Sequence, residues 1–199
     1  TILYCLKTKT ARIKPMIRLF AGIELPEDIK DQLYALRGGV PNAKWVERDN
    51  LHITLRFIGN IDEGVADDLH DGFMQIKAPA FDLQMAQVGF FATGSQLHHL
   101  WAGVCNYQAL DFLHDKIESV VSRNRLPPDK HKFHAHCTLA KLYGAGIEDV
   151  QKFLEYNNLF RSNEFHIDHF TLFSSHPRTD GDGSYYRVEA QYPLFGYWG

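Results

Sequence analysis

One four-residue pattern, His-x-Thr-Leu, occurs twice in this chain of 199 residues. His52-Ile53-Thr54-Leu55 returns 84 residues later as His136-Cys137-Thr138-Leu139. The same offset aligns apolar residues far from either copy: Ile29, Leu33 and Leu36 with Leu113, Ile117 and Val120, and Phe81 and Leu83 with Phe165 and Ile167. Because one offset relates a helix-like stretch, a patterned strand and a later strand, the sequence predicts a duplicated structural unit.

Strand-like and helix-like segments alternate along both halves of the chain. Residues 17–25 alternate as a strand, Pro26 then suits the first position of a helix, and residues 51–58 form the first patterned strand. The second half repeats this order, so we expect an α+β protein of two pseudo-symmetric lobes. Each lobe is predicted to be an antiparallel-rich sheet backed by helices, with the active cleft between the two. The loop 90–98, with its Gly94-Ser95 turn signal, could overhang that cleft.

A single bilobal domain is expected over residues 16–199, with repeat halves of about 16–98 and 99–195. Residues 1–15 are basic, lack the apolar region of a signal peptide and precede a strongly patterned strand. We therefore interpret them as an N-terminal extension outside the fold.

The composition narrows the function classes. A formal net charge of −3 gives no global basic field of the kind that tracks long duplex nucleic acid. Three scattered cysteines, Cys5, Cys105 and Cys137, favour a reducing compartment, so a cytoplasmic protein is expected. No apolar run approaches the roughly 20 residues that span a bilayer. A monomer without a membrane partner is expected.

The repeated pattern carries the chemistry. In a strand, His52, Thr54 and Arg56 share one face and Ile53, Leu55 and Phe57 the other. If the two lobes are related by a pseudo-twofold axis, a phosphate between them meets two imidazoles and two hydroxyls. One neutral histidine could then act as base and one protonated histidine as acid, because a shared anion and unequal surroundings separate their pKa values. This equipment suits phosphodiester hydrolysis without a metal.

Other residues could complete the cleft. Strand alternation predicts that Arg56 lines it beside His52, whereas Lys141 does not share the face of His136 and reaches the cleft only if the strand bulges or ends. Aromatic side chains near the patterned strands could stack on a base or ribose, whereas Trp101, inside a strand, is more typical of a core. These cleft candidates are Trp45, Phe90, Phe91 and Tyr143. The spacing of His131, His134 and His136 leaves zinc binding open as an alternative.

Five stretches of this chain resemble the 2H phosphoesterase superfamily, and within it the RNA 2',3'-cyclic phosphodiesterases, also called 2'-5' RNA ligase-like proteins. The matching stretches are residues 16–26, 50–59, 89–91, 100–104 and 133–141. The resemblance covers about residues 16–195. In the family the second motif commonly has proline before it and arginine two residues after its Thr-Leu, where this chain has Ala135 and Lys141. Lysine keeps the positive charge of arginine but cannot donate the pair of parallel hydrogen bonds that a guanidinium group gives to a phosphate.

The resemblance implies roles and a product. His52 is implied as proton donor, His136 as proton acceptor, and Thr54 and Thr138 as ligands of the phosphate oxygens. The implied reaction opens a terminal 2',3'-cyclic phosphate on RNA to a 2'-phosphate without a cofactor, and reverse 2'-5' ligation follows from microscopic reversibility. Two alternatives stay open: a phosphodiesterase of small cyclic phosphate nucleotides, and a non-catalytic nucleotide-binding module of the same fold.

Overall fold

The computed structural model describes residues 16–105, 107–179 and 183–196. The predicted extension 1–15 lies outside the described residues. Nine strands are described: β1 (Met16–Glu24), β2 (Ala43–Trp45), β3 (His52–Asp62), β4 (Phe81–Thr93), β5 (Gln96–Cys105), β6 (His136–Leu142), β7 (Arg161–Ile167), β8 (His169–Pro177) and β9 (Ser184–Pro193). Four α-helices accompany them: α1 (Glu27–Tyr34), α2 (Glu63–Met74), α3 (Gln108–Arg123) and α4 (Ile147–Asn157).

The strands form one antiparallel sheet in the order β7-β4-β5-β6-β3-β1-β8-β9, with β2 added to β6. The two strands that carry the repeated pattern, β3 and β6, lie at its centre and pair only at Ile53 and Cys137. These two residues are equivalent in the repeat. The pseudo-twofold axis therefore passes through their pairing, and β3-β1-β8-β9 on one side corresponds to β6-β5-β4-β7 on the other.

Each lobe draws strands from both halves of the chain. β8 and β9, from the second half, extend the sheet beside β1, whereas β4, from the first half, pairs with β5. The helices cross over in the same way, since α3 packs on β3 while α1 contacts β7 and α4 contacts β4. The duplicated halves are thus interlocked, and neither half by itself builds one lobe.

The helices cover one side of the sheet with the periodic apolar residues. On α3 the buried side chains include Leu110, Leu113, Ile117 and Val120, and on α1 they include Ile29 and Leu33. Ile53 and Leu55 of β3 are buried on this same side. The apolar face of each patterned strand therefore packs on the helices, which leaves the histidine face towards the cleft. The predicted α+β class, with antiparallel strands backed by helices, is confirmed.

The prediction of a loop over residues 90–98 is wrong. β4 continues to Thr93 and β5 begins at Gln96, so the two strands form a long hairpin with only Gly94 and Ser95 between them. The cross-strand pairs continue from Val88 and Ala102 to Thr93 and Gln96, so the pairing extends further than the turn signal suggested. Among the described residues, no helix has the length and apolar character needed to cross a membrane.

Candidate active site

The two pattern histidines are held in the same way. Nδ1 of His52 lies 2.7 Å from the carbonyl oxygen of Asn50, and Nδ1 of His136 lies 2.6 Å from that of His134. A carbonyl oxygen only accepts, so each Nδ1 carries the hydrogen and donates it. Nε2 of each ring is therefore left to exchange protons. In the free protein Nε2 of His52 lies 3.0 Å from Oγ1 of Thr54.

The central strand pairing brings the two copies together. Continued from the Ile53–Cys137 pair, the antiparallel register sets His52 across from Thr138 and Thr54 across from His136. Two cavities flank the axis accordingly. One of about 380 Å³ is lined by His52 and Thr138, and one of about 810 Å³ by Thr54 and His136.

Both patterned strands contain a β-bulge just after the threonine. In β3, Thr54 pairs with Gly22 and Arg56 with the adjacent Ala21, so one extra residue lies between them. In β6, Thr138 pairs with Trp101 and Ala140 with the adjacent Leu100. The extra residue reverses the alternation of side chains beyond it.

Arg56 lines the cavity of about 810 Å³ beside Thr54 and His136, but it does not share the face of His52. Its side chain is 6% exposed and turns towards the helices, where it forms an ion pair with Glu118 of α3 and donates hydrogen bonds to the carbonyl oxygens of Phe57 and Pro127. The prediction that Arg56 shares the face of His52 is wrong because the bulge reverses that face. Arg56 instead ties β3 to the segment that leads into β6.

Each of the two bulges places one further residue in the cleft. Phe57, predicted on the apolar back of the strand, is 59% exposed and lines the cavity beside His52. Lys141 occupies the equivalent position in β6 and lines the same cavity, together with His99. The bulged strand thus brings the ammonium group of Lys141 to the side of the site that holds His52 and Thr138.

Burial lowers the pKa of both histidines. The pKa of His52 falls to about 4, because its ring is withdrawn from water and a positive charge on it would be repelled by His136. The pKa of His136 is also lowered, chiefly by burial and further by His134 and His99. Both rings are therefore neutral at pH 7 in the free protein. Burial likewise raises the pKa of the Cys137 thiol to about 12, so this cysteine remains protonated.

The aromatic surroundings of His52 account for its burial. The ring centroids of Phe20, Tyr186 and Phe173 lie 4.9, 5.1 and 5.9 Å from that of His52. Sequence reasoning missed all three. Phe20 falls within a predicted strand without any polar signal, and Tyr186 comes from β9, which is 134 residues away along the chain.

The aromatic residues predicted for the cleft separate into two groups. The ring of Phe91 meets that of His136 edge-on, with 4.9 Å between the centroids, whereas Phe90 packs against the hydrophobic core. The prediction for Phe90 is therefore wrong, since it points to the opposite face of β4 from Phe91. Trp45 and Tyr143 line a further cavity of about 530 Å³ next to Lys141, and Trp45 also packs on Phe153.

Trp101 is not a core residue. Its indole lies across Gly89 and Gly103, where a Cβ atom on Gly89 would come within 2.2 Å of it, and it contacts the ring of His134. Glycine at these two positions leaves the room that the indole occupies. The zinc alternative also lacks support: the described residues include no group of three or more His, Cys, Asp or Glu side chains that could hold a metal ion.

The fold and the site together describe an α+β protein in which two equivalent strands, each with a His-x-Thr pattern, face a shared cleft. Residues 23–101 match the family model described as LigT like Phosphoesterase. Over these residues the chain is similar to the LigT-like phosphoesterases.

Several curated proteins that this chain resembles carry the name RNA 2',3'-cyclic phosphodiesterase. The protein of Aeropyrum pernix is 35% identical over 108 residues, which is 54% of this chain and 61% of the relative. The match therefore spans less than two thirds of that relative's length. The protein of Methanocaldococcus jannaschii is 22% identical over 164 residues, which is 80% of this chain and 91% of the relative.

Solved structures share the fold. E. coli LigT in complex with 3'-AMP superposes with a TM-score of 0.74 at 23% identity, covering 90% of this chain and 99% of that one. Another crystal structure, of a phosphoesterase, gives a TM-score of 0.76 at 22% identity, covering 90% of this chain and 99% of that one.

Proposed function

We propose that this protein hydrolyses the terminal 2',3'-cyclic phosphate of RNA to a 2'-phosphate, with His136 as proton acceptor and His52 as proton donor. The observation that carries the proposal is the pair of His-x-Thr strands joined at the pseudo-twofold axis, with both Nδ1 atoms hydrogen-bonded to backbone carbonyls. In this proposal the Nε2 atoms of both histidines and the hydroxyls of both threonines act on one phosphate bound across the axis.

The proposed step is an in-line displacement. Water attacks phosphorus opposite the 3' oxygen while Nε2 of His136 takes its proton, a P–O bond forms, and the bond from phosphorus to O3' breaks. Nε2 of His52 gives its proton to O3', so a 3' hydroxyl and a 2'-phosphate remain. Thr54 and Thr138 donate their hydroxyl hydrogens to the non-bridging oxygens, and the ammonium group of Lys141 offsets their negative charge.

This assignment requires the substrate to charge His52. The free site keeps the ring neutral, because its pKa is about 4. A bound phosphate anion favours the protonated form and raises that pKa, as any opposite charge within hydrogen-bond range does. Substrate binding therefore supplies the acid, and the aromatic surroundings keep His52 from holding a proton without it.

The relatives support the choice of substrate. The proteins of A. pernix and M. jannaschii are named for RNA 2',3'-cyclic phosphate, and a solved LigT structure holds 3'-AMP. The imidazolium, two hydroxyls and one lysine can offset the negative charge of the phosphate, so we propose that no metal is needed. Reverse 2'-5' ligation would use the same groups with their roles exchanged.

The test uses a short RNA that ends in a 2',3'-cyclic phosphate. We expect turnover that exhaustive chelation does not change, and phosphorus NMR should show a terminal 2'-phosphate. A 3'-phosphate product would show that O2' leaves and that the assigned geometry is wrong. Loss of turnover on chelation, with recovery on adding zinc, would refute the metal-free step.

A further inference from the structure

A groove beside His136 is larger than the terminal phosphate requires. Its volume is about 810 Å³, within the range of sites that enclose whole small molecules. One wall is residues 127–134, which precede β6, and the other is formed by β3 and the β4–β5 hairpin. The groove opens directly from Thr54 and His136, so a chain that ends at the proposed reaction site could continue along it.

The wall formed by residues 127–134 carries cations. Lys130, His131 and Lys132 are exposed and line the groove, where Asp129 is the one carboxylate among the lining residues. The whole chain has a formal net charge of −3, so this basic segment is a local feature rather than part of a general basic surface. The ammonium group of lysine is a compact charge on a flexible side chain, so it can follow a phosphate group in more than one position.

The opposite wall supplies an apolar face. Phe57, which the bulge turns outwards, is 59% exposed and lines the groove. Ile58 and Phe91 lie on the same side. An exposed ring opposite a cationic segment is the combination by which proteins hold single-stranded nucleic acid, since a base stacks on the ring while the backbone meets the cations.

Chain length limits how far the lysines can lie from the site. Lys132 and Lys130 precede His136 by four and six residues, so their Cα atoms lie within about 14 and 22 Å of it. A lysine side chain shortens the remaining gap. Within these limits, and with the length of the lysine side chain added, both ammonium groups can reach a phosphate one nucleotide away from the reacting one.

We propose that this groove binds the penultimate nucleotide of an RNA 3' end. Lys130 and Lys132 contact the phosphate that joins it to the terminal nucleotide, and its base stacks on Phe57. The protein therefore prefers oligonucleotides to cyclic mononucleotides. The inference rests on the proposed function for the identity of the terminal group, and it adds a binding position for the nucleotide before it.

The test compares two substrates, 2',3'-cyclic AMP and a tetranucleotide with the same cyclic terminus. In the double variant Lys130→Ala/Lys132→Ala we expect KM for the tetranucleotide to rise about tenfold at constant kcat, with turnover of 2',3'-cyclic AMP unchanged. The dependence of log(kcat/KM) on log salt should become shallower by about 0.7 for the tetranucleotide, the value for one phosphate of a single strand that is no longer neutralised.

The matched control removes two exposed lysines outside the groove, Lys77 and Lys152. Lys77→Ala/Lys152→Ala should leave both substrates unaffected. An equal loss for both substrates, no loss for the tetranucleotide, or an equal loss in the control variant would each overturn the proposal.

A binding measurement separates this proposal from the proposed function. Fluorescence anisotropy with a tetranucleotide that ends in a 3'-phosphate needs no turnover. Weaker binding in Lys130→Ala/Lys132→Ala than in the control supports the groove even if hydrolysis fails. Equal binding in both variants overturns it, whatever the enzyme does to cyclic phosphates.

Discussion

At the residue scale, the main feature of the site is a pair of histidines, His52 and His136, whose Nδ1 atoms form equivalent hydrogen bonds to backbone carbonyl oxygens. If both act in one step, His52→Ala and His136→Ala should each lower kcat by about 10²–10⁴-fold, the usual effect of losing a general acid or base. His166→Ala removes an exposed histidine outside the cleft and should leave kcat unchanged. Steady-state kinetics with circular dichroism of each variant checks this. Near-normal kcat in either folded variant would refute a shared site.

The division of roles between the two histidines is a separate prediction. A substrate whose leaving 3' oxygen is replaced by sulfur needs little protonation, because a thiolate is a good leaving group. We expect it to rescue His52→Ala by about tenfold or more relative to the oxygen substrate, and His136→Ala hardly at all. Single-turnover rates measure both ratios. Preferential rescue of His136→Ala would exchange acid and base.

At the scale of elements, one buried ion pair joins β3 to α3 and to the segment before β6. Arg56 pairs with Glu118 and also donates to the carbonyl oxygen of Pro127. Glu118→Leu should lower the free energy of unfolding by about 3 kcal/mol, because it leaves the guanidinium buried without its partner. Urea denaturation measures the change.

A second variant separates loss of the pair from loss of packing. Arg56→Met/Glu118→Leu removes both charges and should recover most of that stability, since an apolar pair of similar volume has no desolvation cost. If the double variant is as unstable as Glu118→Leu alone, the charge of Arg56 is not the cause. Recovery of stability without recovery of kcat would show that the hydrogen bond to Pro127 positions the segment that leads to His136.

For the whole molecule, the depressed pKa of His52 couples folding to pH. The unfolded chain binds a proton near pH 6.5 and the native site only near pH 4, so the unfolded state holds more protons between these values. Stability should therefore fall as pH falls through this window, by about 2 kcal/mol between pH 7.5 and pH 5 from His52 alone. The lowered pKa of His136 acts in the same direction.

Urea denaturation at several values of pH checks this prediction. In His52→Ala the decline between pH 7.5 and pH 5 should be shallower by about that amount. Ion-paired carboxylates such as Glu27 have a lowered pKa and lose their contribution only at more acidic pH, so they do not enter this window. An unchanged slope in the variant would contradict the burial of His52.

Local periodicity was sufficient for much of this protein. The repeat offset predicted the duplication, and the spacing of Leu113, Ile117 and Val120 predicted the buried face of α3, because side-chain direction in a helix depends only on sequence separation. Alternation likewise placed His52 and Thr54 on the face opposite Ile53. The family resemblance rested on these same short segments.

The side-chain positions outside these short segments depended on the tertiary structure. The β-bulges after Thr54 and Thr138 exchanged the expected positions of Arg56 and Phe57 and brought Lys141 to the cleft, and a bulge depends on how the neighbouring strand pairs. The exchange of strands between the lobes placed Tyr186 against His52, a contact that no local pattern encodes. The sequence determined the residues that could do the chemistry, whereas pairing between distant strands determined their surroundings, because desolvation and charge depend on distance in space.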